Sequence, residues 1–267
     1  MPTLADDETL MHTTVAAVQA AGRHLKNRFS FDARPGSRDA ILAALQANDV
    51  ESLGILRRLL TEARPGAGWV EDELETGALP PGEWWVIDPV EGNINHIHGM
   101  PNWCVTATLV RDNIPVLTGV YLPMTGHTYT AVRGGGAYLD GVRLHASGKT
   151  KLDAALVGTG QAMPGEDRDT YRRIGQSVTA MLESALVQHV SVPATLQLIH
   201  IADGRMDVFW QYSQVRSGLL AGALLVEEAG GRITDTHGRP WSLTSADFLA
   251  AAPSLHSAAV NVLSAIA

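Results

Sequence analysis

Residues 84–101 read WWVIDPVEGNINHIHGMP and combine a buried strand with a polar turn. Trp84 to Ile87 is an unbroken run of apolar β-formers, which is the pattern of a strand covered on both faces. Pro89 has no N–H to donate to a strand ladder, so we expect the strand to end at Asp88.

The turn that follows carries a second carboxylate, Glu91, and then Gly92 and Asn93, a pair that favours a tight turn. Two carboxylates beside the backbone amides of a turn can hold a hard cation next to an anion. The alternative is an ordinary polar exit from a strand, because Asp-Pro is common in turns. Both interpretations stay open on these residues alone.

Composition limits the classes of protein that fit the chain. With 267 residues, 45% hydrophobic and 18% charged, it can build a large soluble core. A net charge of -8 argues against a nucleic-acid partner, and an anionic substrate would need a local cation such as a metal ion. The single Cys104, an acidic N-terminus and apolar runs no longer than 219–226 predict a cytoplasmic protein without a membrane span.

The first half of the chain predicts helices followed by an antiparallel meander. We expect a helix capped by Thr3 or Asp6 and running to about Arg28, a short helix from Ser37 through Ala47, and another from Asp49 to about Arg64. Strand patterns follow at 69–70, 103–110, 115–122, 128–132 and 137–139.

The second half alternates between strands and helices, which predicts a layered α/β arrangement. Strands are expected at 155–158, 186–190, 206–210 and 248–251, and helices at 167–181, 194–202, 219–229 and from 254. The turn at residues 147–149 suggests a hinge, so we predict two domains, 1–148 and 149–267.

In motif content and order, the chain resembles the inositol monophosphatase superfamily of Mg²⁺-dependent, lithium-sensitive phosphatases. The family motif W-[IV]-I-D-P-I-D-G-T-x-N-F-x-H-G-x-P corresponds to residues 85–101, and further matches lie at 115–121, 133–138, 202–207 and 221–231. The resemblance covers nearly the whole chain. It implies an αβαβα sandwich, a homodimer, and two or three Mg²⁺ ions that orient a water for attack on a phosphate monoester.

The resemblance also implies roles for individual residues. Asp88 matches a bridging metal ligand and Val90 a carbonyl ligand, while the amides of Gly92 and Asn93 would face the phosphate. Asp49 matches the aspartate that helps to activate the water.

An acidic segment supplies two further expected ligands, because Asp72 and Glu73 match the two glutamates of the family's G-E-E.

Several positions depart from the family pattern at the metal site. The metal-binding aspartate of W-D-x-A-A-G is Gly218, which has no side-chain ligand. The second aspartate of D-P-I-D-G-T is the longer Glu91, and its threonine is Asn93. Because affinity for Mg²⁺ depends on the number and charge of the ligands, we expect one ion and a weak or empty second site.

The substrate region departs too. Val192-Pro193-Ala194 stands where the family has G-S-A, and Gln211 replaces a glutamate. Ser217 is expected to cap the helix that follows it. His96 replaces an apolar motif residue and is a candidate for substrate binding or new acid–base chemistry, whereas His98 matches a scaffold histidine.

Three functions follow from these observations. The first is Mg²⁺-dependent hydrolysis of a small phosphate monoester other than inositol phosphate. The second is an enzyme that has lost the two-metal mechanism and uses its carboxylates or His96 as acid and base. The third is a non-catalytic relative that binds a ligand or a partner protein.

Overall fold

The computed structural model describes residues 3–70, 77–161, 165–212 and 216–266. The chain forms two compact units, one of residues 1–73 and 80–142 and the other of residues 74–79 and 143–267. The predicted boundary between residues 148 and 149 stays a prediction.

The first unit places two long helices on a seven-stranded sheet. The helices are α1, Leu4–Arg28, and α2, Arg38–Ala63. The strands follow sequence order across the sheet and are β1 Gly68–Trp69, β2 Glu83–Glu91, β3 Cys104–Arg111, β4 Ile114–Leu122, β5 His127–Val132, β6 Gly136–Leu139 and β7 Val142–Arg143. The pairing from β2 to β6 is antiparallel, as the meander predicts, whereas β1 pairs parallel to β2.

Helix α1 begins where the sequence predicts. The Thr3 side chain accepts from the backbone N–H of Asp6, and the Asp6 carboxylate accepts from Thr3, which together form a capping box. Its buried stripe packs on the sheet and includes Ala17, Val18 and Leu25, all without solvent exposure. Each large apolar side chain buried in this way contributes roughly 1.5–3 kcal/mol.

Helix α2 corrects the prediction of two shorter helices. It runs without a break through Asn48 and Asp49 to Ala63, after a cap in which Ser37 accepts from the N–H of Ala40. Neither Asn48 nor Asp49 breaks a helix as proline would, and buried Leu56 and Leu60 continue the apolar stripe. Asp49 therefore lies in the middle of a helix and not at its start.

Strand β2 corrects the prediction that Pro89 ends the strand. Asp88 pairs with Thr106 and Glu91 with Cys104, so β2 has one more residue than β3 between these two pairs. This is a β-bulge, and Pro89 is tolerated inside it because the extra residue is left out of the ladder. The strand thus extends to Glu91, and both carboxylates belong to it.

The second unit contains a five-stranded sheet in the order β11-β12-β10-β8-β9. The strands are β8 Leu156–Thr159, β9 Val187–Val190, β10 Val208–Gln211, β11 Arg232–Thr234 and β12 Phe248–Ala251. The sequence patterns miss β11. Strands β8, β9 and β10 are parallel, and β12 runs antiparallel to β10.

Helices cover this second sheet. They are α4 Arg168–Leu182, α5 Ala194–Ala202, α6 Ser217–Glu228 and α7 His256–Leu263, while a short helix α3, Asn93–Ile97, belongs to the first unit. Met181 of α4 and Leu255 before α7 share a core with Val208 and Trp210 of β10. The predicted α/β class is confirmed, and within the described ranges no helix is long and apolar enough to cross a membrane.

Candidate functional site

The end of strand β2 presents the two predicted metal carboxylates. The Glu91 residue is 4% exposed and Asp88 is half-buried, and the Asp88 Oδ1 atom accepts from the backbone N–H of Val90 at 3.1 Å. Opposite them, Cys104 is buried in β3, as predicted. Burial, and then the charges of Glu91 and Asp88, raise the pKa of its thiol well above the usual value, so Cys104 is an inert core residue.

One face of α2 points at this strand and at the helix that follows it. The face consists of Leu45, Asn48, Asp49 and Ser52, which share a side of the helix because their spacing follows its 3.6-residue period. Ser52 donates from Oγ to the carbonyl of Pro89 at 2.6 Å, in the bulge of β2. The continuity of α2 therefore fixes Asp49 one turn away from the bulge.

A chain of side-chain hydrogen bonds joins α1, α2 and α3, and we call its members, His96, Asn48, Asn93 and Asp49, the relay. The Asn48 Nδ2 atom lies 3.0 Å from His96 Nδ1 and donates to Asn93 Oδ1 at 2.9 Å. The Asn93 Nδ2 atom donates to Asp49 Oδ1 at 2.8 Å and to the carbonyl of Leu45 at 3.0 Å. The relay brings three of the predicted site residues together.

His96 lies inside the protein at the far end of the relay. It is 4% exposed, its ring packs edge-on against Phe29 and Trp103, and its Nε2 atom lies 3.1 Å from the carbonyl of Leu25. Burial lowers the pKa of His96, the hydrogen bond to the Leu25 carbonyl opposes that shift without cancelling it, and Arg28 lowers the pKa by a smaller amount. Both ring nitrogens of His96 thus have hydrogen-bond partners within the protein, so a structural role explains this residue without a bound ligand.

His98 has the hydrogen-bonded role predicted for it, because its Nδ1 atom lies 2.8 Å from the carbonyl of Ile94.

Asp49 combines partial burial with a single fixed hydrogen bond. Burial raises the pKa of its carboxyl group, and the hydrogen bond from Asn93 opposes that shift without cancelling it. Within the described ranges, no protein donor is bonded to the second oxygen, Oδ2. Asp49 is thus a carboxylate with a raised pKa and one oxygen available to a water molecule, as a general base requires.

Gly92 turns the chain from β2 into α3. Its φ of 85° is left-handed, a conformation that glycine adopts without strain, and its carbonyl accepts from Asn95 and His96. The first N–H groups of a helix have no partner inside the helix, which is consistent with the predicted contact between the Gly92–Asn93 turn and an anion.

The predicted substrate residues of the second unit lie at the ends of three elements. Ala194 is the first residue of α5, Ser217 the first residue of α6, and buried Gln211 the last residue of β10. The beginnings of the two helices are joined, because Thr195 donates from Oγ1 to the carbonyl of Gly218 at 3.1 Å. Ser217 does not cap α6: it lies within the helix, and Arg216 holds the cap position.

Arg216 is a neighbour of Gly218 that the sequence patterns overlook. It is buried and donates from Nη1 to the carbonyl of Gly77 at 2.7 Å, within the same unit. The signal that would have identified Arg216 is a charged residue two positions before the missing motif carboxylate at Gly218.

The described residues offer only part of a metal site. Asp88 and Glu91 provide carboxylate oxygens and the backbone adds carbonyl oxygens, a donor set that suits a hard cation such as Mg²⁺. Within the part of the chain that the structure describes, no three residues of the types His, Cys, Asp and Glu form a metal-binding group. The two other predicted ligands, Asp72 and Glu73, lie outside the described residues.

A pocket of about 400 Å³ opens beside the relay in the first unit. Asn48 and His96 form part of its wall, together with Arg28, Ser30, Ala33, Ala44 and Ile97. A molecule in this pocket would meet the buried end of the relay and not the carboxylates of β2.

Comparison with known proteins establishes the family. A model of the inositol monophosphatase family matches residues 6–266. The chain belongs to the inositol monophosphatase family. The inositol-1-monophosphatase of Rhizobium meliloti (strain 1021) is 32% identical over 235 residues, which are 86% of each protein. The Nus factor SuhB of Pseudomonas aeruginosa is 37% identical over 159 residues, 58% of this chain and 57% of that protein.

Solved structures support the fold. The inositol monophosphatase from Anabaena sp. PCC 7120 has a TM-score of 0.81 at 23% identity and covers 97% of both chains. The SuhB protein of Mycobacterium tuberculosis has a TM-score of 0.78 at 24% identity and covers 97% of this chain and 96% of that one. The predicted family and layered α/β fold are confirmed, and the family and its homologues support a phosphatase.

Proposed function

We propose that this protein hydrolyses a small phosphate monoester other than inositol phosphate with the help of one Mg²⁺ ion. The observation that carries the proposal is the half-buried Asp49, held by Asn93 on the face of α2 that also bonds to the β2 bulge at Pro89. A base of raised pKa therefore lies next to the segment that bears Asp88 and Glu91.

In this proposal Asp88, Glu91 and the Val90 carbonyl hold the ion, together with Asp72 and Glu73 of the acidic segment. An ion held by these residues would supply Lewis-acid chemistry, polarising the phosphate and stabilising charge on the leaving oxygen.

The remaining steps belong to the chain's own groups. The free oxygen of Asp49 accepts a proton from the attacking water, and its raised pKa makes it a better base than an exposed aspartate. The N–H groups of the Gly92–Asn93 turn hold the phosphate oxygens, because the first N–H groups of a helix have no partner inside it. Ala194, Gln211 and Ser217 of the second unit stay predicted substrate-binding residues.

The test is the release of phosphate from a panel of sugar, polyol and nucleotide monophosphates with Mg²⁺. We expect Asp88→Asn and Glu91→Gln to reduce turnover by at least about 100-fold, because each removes a charged ligand. Glu62→Gln is the matched control, since Glu62 is an exposed carboxylate on the same unit. No turnover across the panel, or full activity in both variants, would contradict the proposal.

Metal binding has its own measurement. Calorimetry should detect one Mg²⁺ per chain in the wild-type protein and none in Asp88→Asn. Two equivalent ions would contradict the one-ion site.

A second candidate function is binding without hydrolysis, or acid–base chemistry without metal. It is favoured by Gly218, where the family motif has a ligand, and by relatives that are named as a Nus factor and not as a phosphatase. If the biological role survives Glu91→Gln and Asp88→Asn, binding is the better explanation. If both variants abolish a conversion that needs no metal, acid–base chemistry without metal is the better explanation.

We also propose that the protein is a cytoplasmic homodimer. Strand β9 is an edge of the second sheet and exposes Val187 and Val190, and Leu186 just before the strand is exposed too. Such an edge is usually covered. Light scattering should give twice the chain mass, and Val190→Lys should give a monomer. Val142→Lys, at another exposed position on the edge strand β7 of the first sheet, is the control that should leave the dimer intact.

A further inference from the structure

We infer that His96 and Asn48 are positioning residues that fix the orientation of the Asn93–Asp49 pair. The inference rests on the proposed function. It also unites the family departures at 93 and 96, since Asn93 and His96 both accept from the same Asn48 Nδ2 atom.

The direction of every hydrogen bond in the relay is set by two backbone carbonyls. The carbonyl of Leu45 can only accept, so the Asn93 atom beside it must be the amide nitrogen, which leaves Asn93 Oδ1 facing Asn48. The Asn48 atom opposite that oxygen must then be a nitrogen as well. At the other end, the carbonyl of Leu25 requires a hydrogen on His96 Nε2.

This pattern fits only a neutral His96. With its hydrogen on Nε2, the ring has a lone pair on Nδ1 that accepts the second N–H of Asn48. A second ring hydrogen on Nδ1 would face the Asn48 amide hydrogens and break the relay. The burial of the ring between Phe29 and Trp103 opposes that charged form.

The consequence for the site is that Asn93 is already fully engaged as a donor. Both hydrogens of its amide are bound, one by Leu45 and the other by Asp49. Asn93 therefore does not donate to the water that a motif threonine would orient. The Asn93 side chain holds Asp49, and of these two side chains only Asp49 contacts the attacking water.

The relay also explains why a histidine suits position 96. A side chain there must accept at the Nδ1 position and donate to Leu25 across the edge of an aromatic cluster. The apolar residue of the family motif does neither, and Asn48 would then have one unbound N–H inside the protein.

The first experiment needs no variant. Nitrogen-15 NMR of histidine-labelled protein at pH 7 should show His96 as the neutral form with hydrogen on Nε2. Hydrogen on Nδ1, or a charged ring, would overturn the inference. This readout is independent of turnover, so a protein without phosphatase activity would refute the proposed function and still test the relay.

The second experiment separates positioning from packing with a matched pair of variants. His96→Asn and His96→Leu have the same branched shape, but only asparagine offers an acceptor near the Nδ1 position. With the best substrate of the panel, we expect kcat to fall about tenfold in His96→Leu, with KM within about twofold, and to stay within about threefold in His96→Asn. Equal losses in the two variants would overturn the inference.

A double-mutant cycle tests the link itself. If His96 acts through Asn93, the loss in Asn93→Ala should not grow further when His96→Leu is added. Multiplication of the two losses would mean that the residues act independently. Should His96→Leu fail to fold, Asn48→Ala takes its place in the same cycle.

Discussion

Arg111 is the centre of an ion-pair cluster that ties α1 to the strand carrying the candidate site. Its Nη atoms donate to both carboxylate oxygens of Asp7, at 2.8 and 3.1 Å, and its Nε atom donates to Glu83 at 2.8 Å. Glu83 is the first residue of β2 and accepts a second pair of bonds from Arg64, at 2.6 and 2.9 Å. We predict that Arg111→Met destabilises the first unit.

The expected loss of unfolding free energy depends on which hydrogen bonds Glu83 and Asp7 keep in Arg111→Met. Glu83 keeps both bonds to Arg64, so its loss is partial. The Asp7 side chain, only 9% exposed, loses both bonds from Arg111 and becomes a buried charge without its partner. Breaking a buried pair on one side costs about 3–5 kcal/mol, and the Arg111 side chain is 19% exposed, so we expect about 2–4 kcal/mol.

Urea unfolding followed by tryptophan fluorescence provides the assay. Arg23→Met on exposed α1 surface is the control and should change stability by less than about 0.5 kcal/mol. Replacing both partners, Asp7→Leu with Arg111→Met, should cost less than Arg111→Met alone because no charge is left unpaired. The reasoning fails if Arg111→Met matches the control, or if the double variant is the least stable.

Three further predictions concern packing, charge and pH. Gly222→Ala should destabilise by about 1–3 kcal/mol in thermal unfolding, because its methyl group would collide with Leu198, whereas Gly175→Ala on exposed α4 should stabilise by about 0.4–1 kcal/mol. Asp49→Asn should abolish turnover yet raise the melting temperature at pH 7, since burial raises the pKa of this carboxyl and penalises its charged form; an unchanged or lower value would contradict this. The hydrogen bonds from Arg64 lower the pKa of Glu83. The contribution of Glu83 to stability should therefore be complete above about pH 4.3 and disappear as the pH falls through the lowered pKa. In an acid titration of stability, Glu83→Gln should not show this loss.

Much of the fold could be predicted because its elements carry local signals. The capping residue Thr3, the apolar stripe of α1 and the turns of the meander each specify a structure within a few residues. Helix α2 and strand β2 could not be delimited in the same way. Asn48-Asp49 resembles a helix start, but long-range packing of the buried stripe of α2, which includes Leu60, overrides this local preference. Pro89 resembles a strand end, but pairing of β2 with β3 continues past it.

The candidate site was predictable as a set of acids but not as a network. Asp49 and Asp88 stand out because their residue types match a motif, and Glu91 and Asn93 because they occupy motif positions with other residue types. Whether the four form the proposed site stays a prediction. Asn48 does not stand out, since its role depends on neighbours 45 and 48 residues away in sequence. Its one visible signal is a polar residue on the buried stripe of a helix, which is unfavourable unless its hydrogen bonds are satisfied.

The buried charge of Arg216 near position 218 adds to the reason, already given by Gly218, to expect one ion. The family motif places a carboxylate where this chain has Gly218, and the buried neighbour Arg216 keeps its positive charge at any accessible pH. Removing a negative ligand and burying a cation two residues away both oppose the binding of a divalent ion by this segment. Gly218→Asp should therefore restore a ligand but not the full affinity, because the charge of Arg216 offsets part of the gain, and Gly218→Asp combined with Arg216→Met should bind Mg²⁺ more tightly in calorimetry than either change alone. Equal affinities in the single and double variants would show that Arg216 has no influence on the ion.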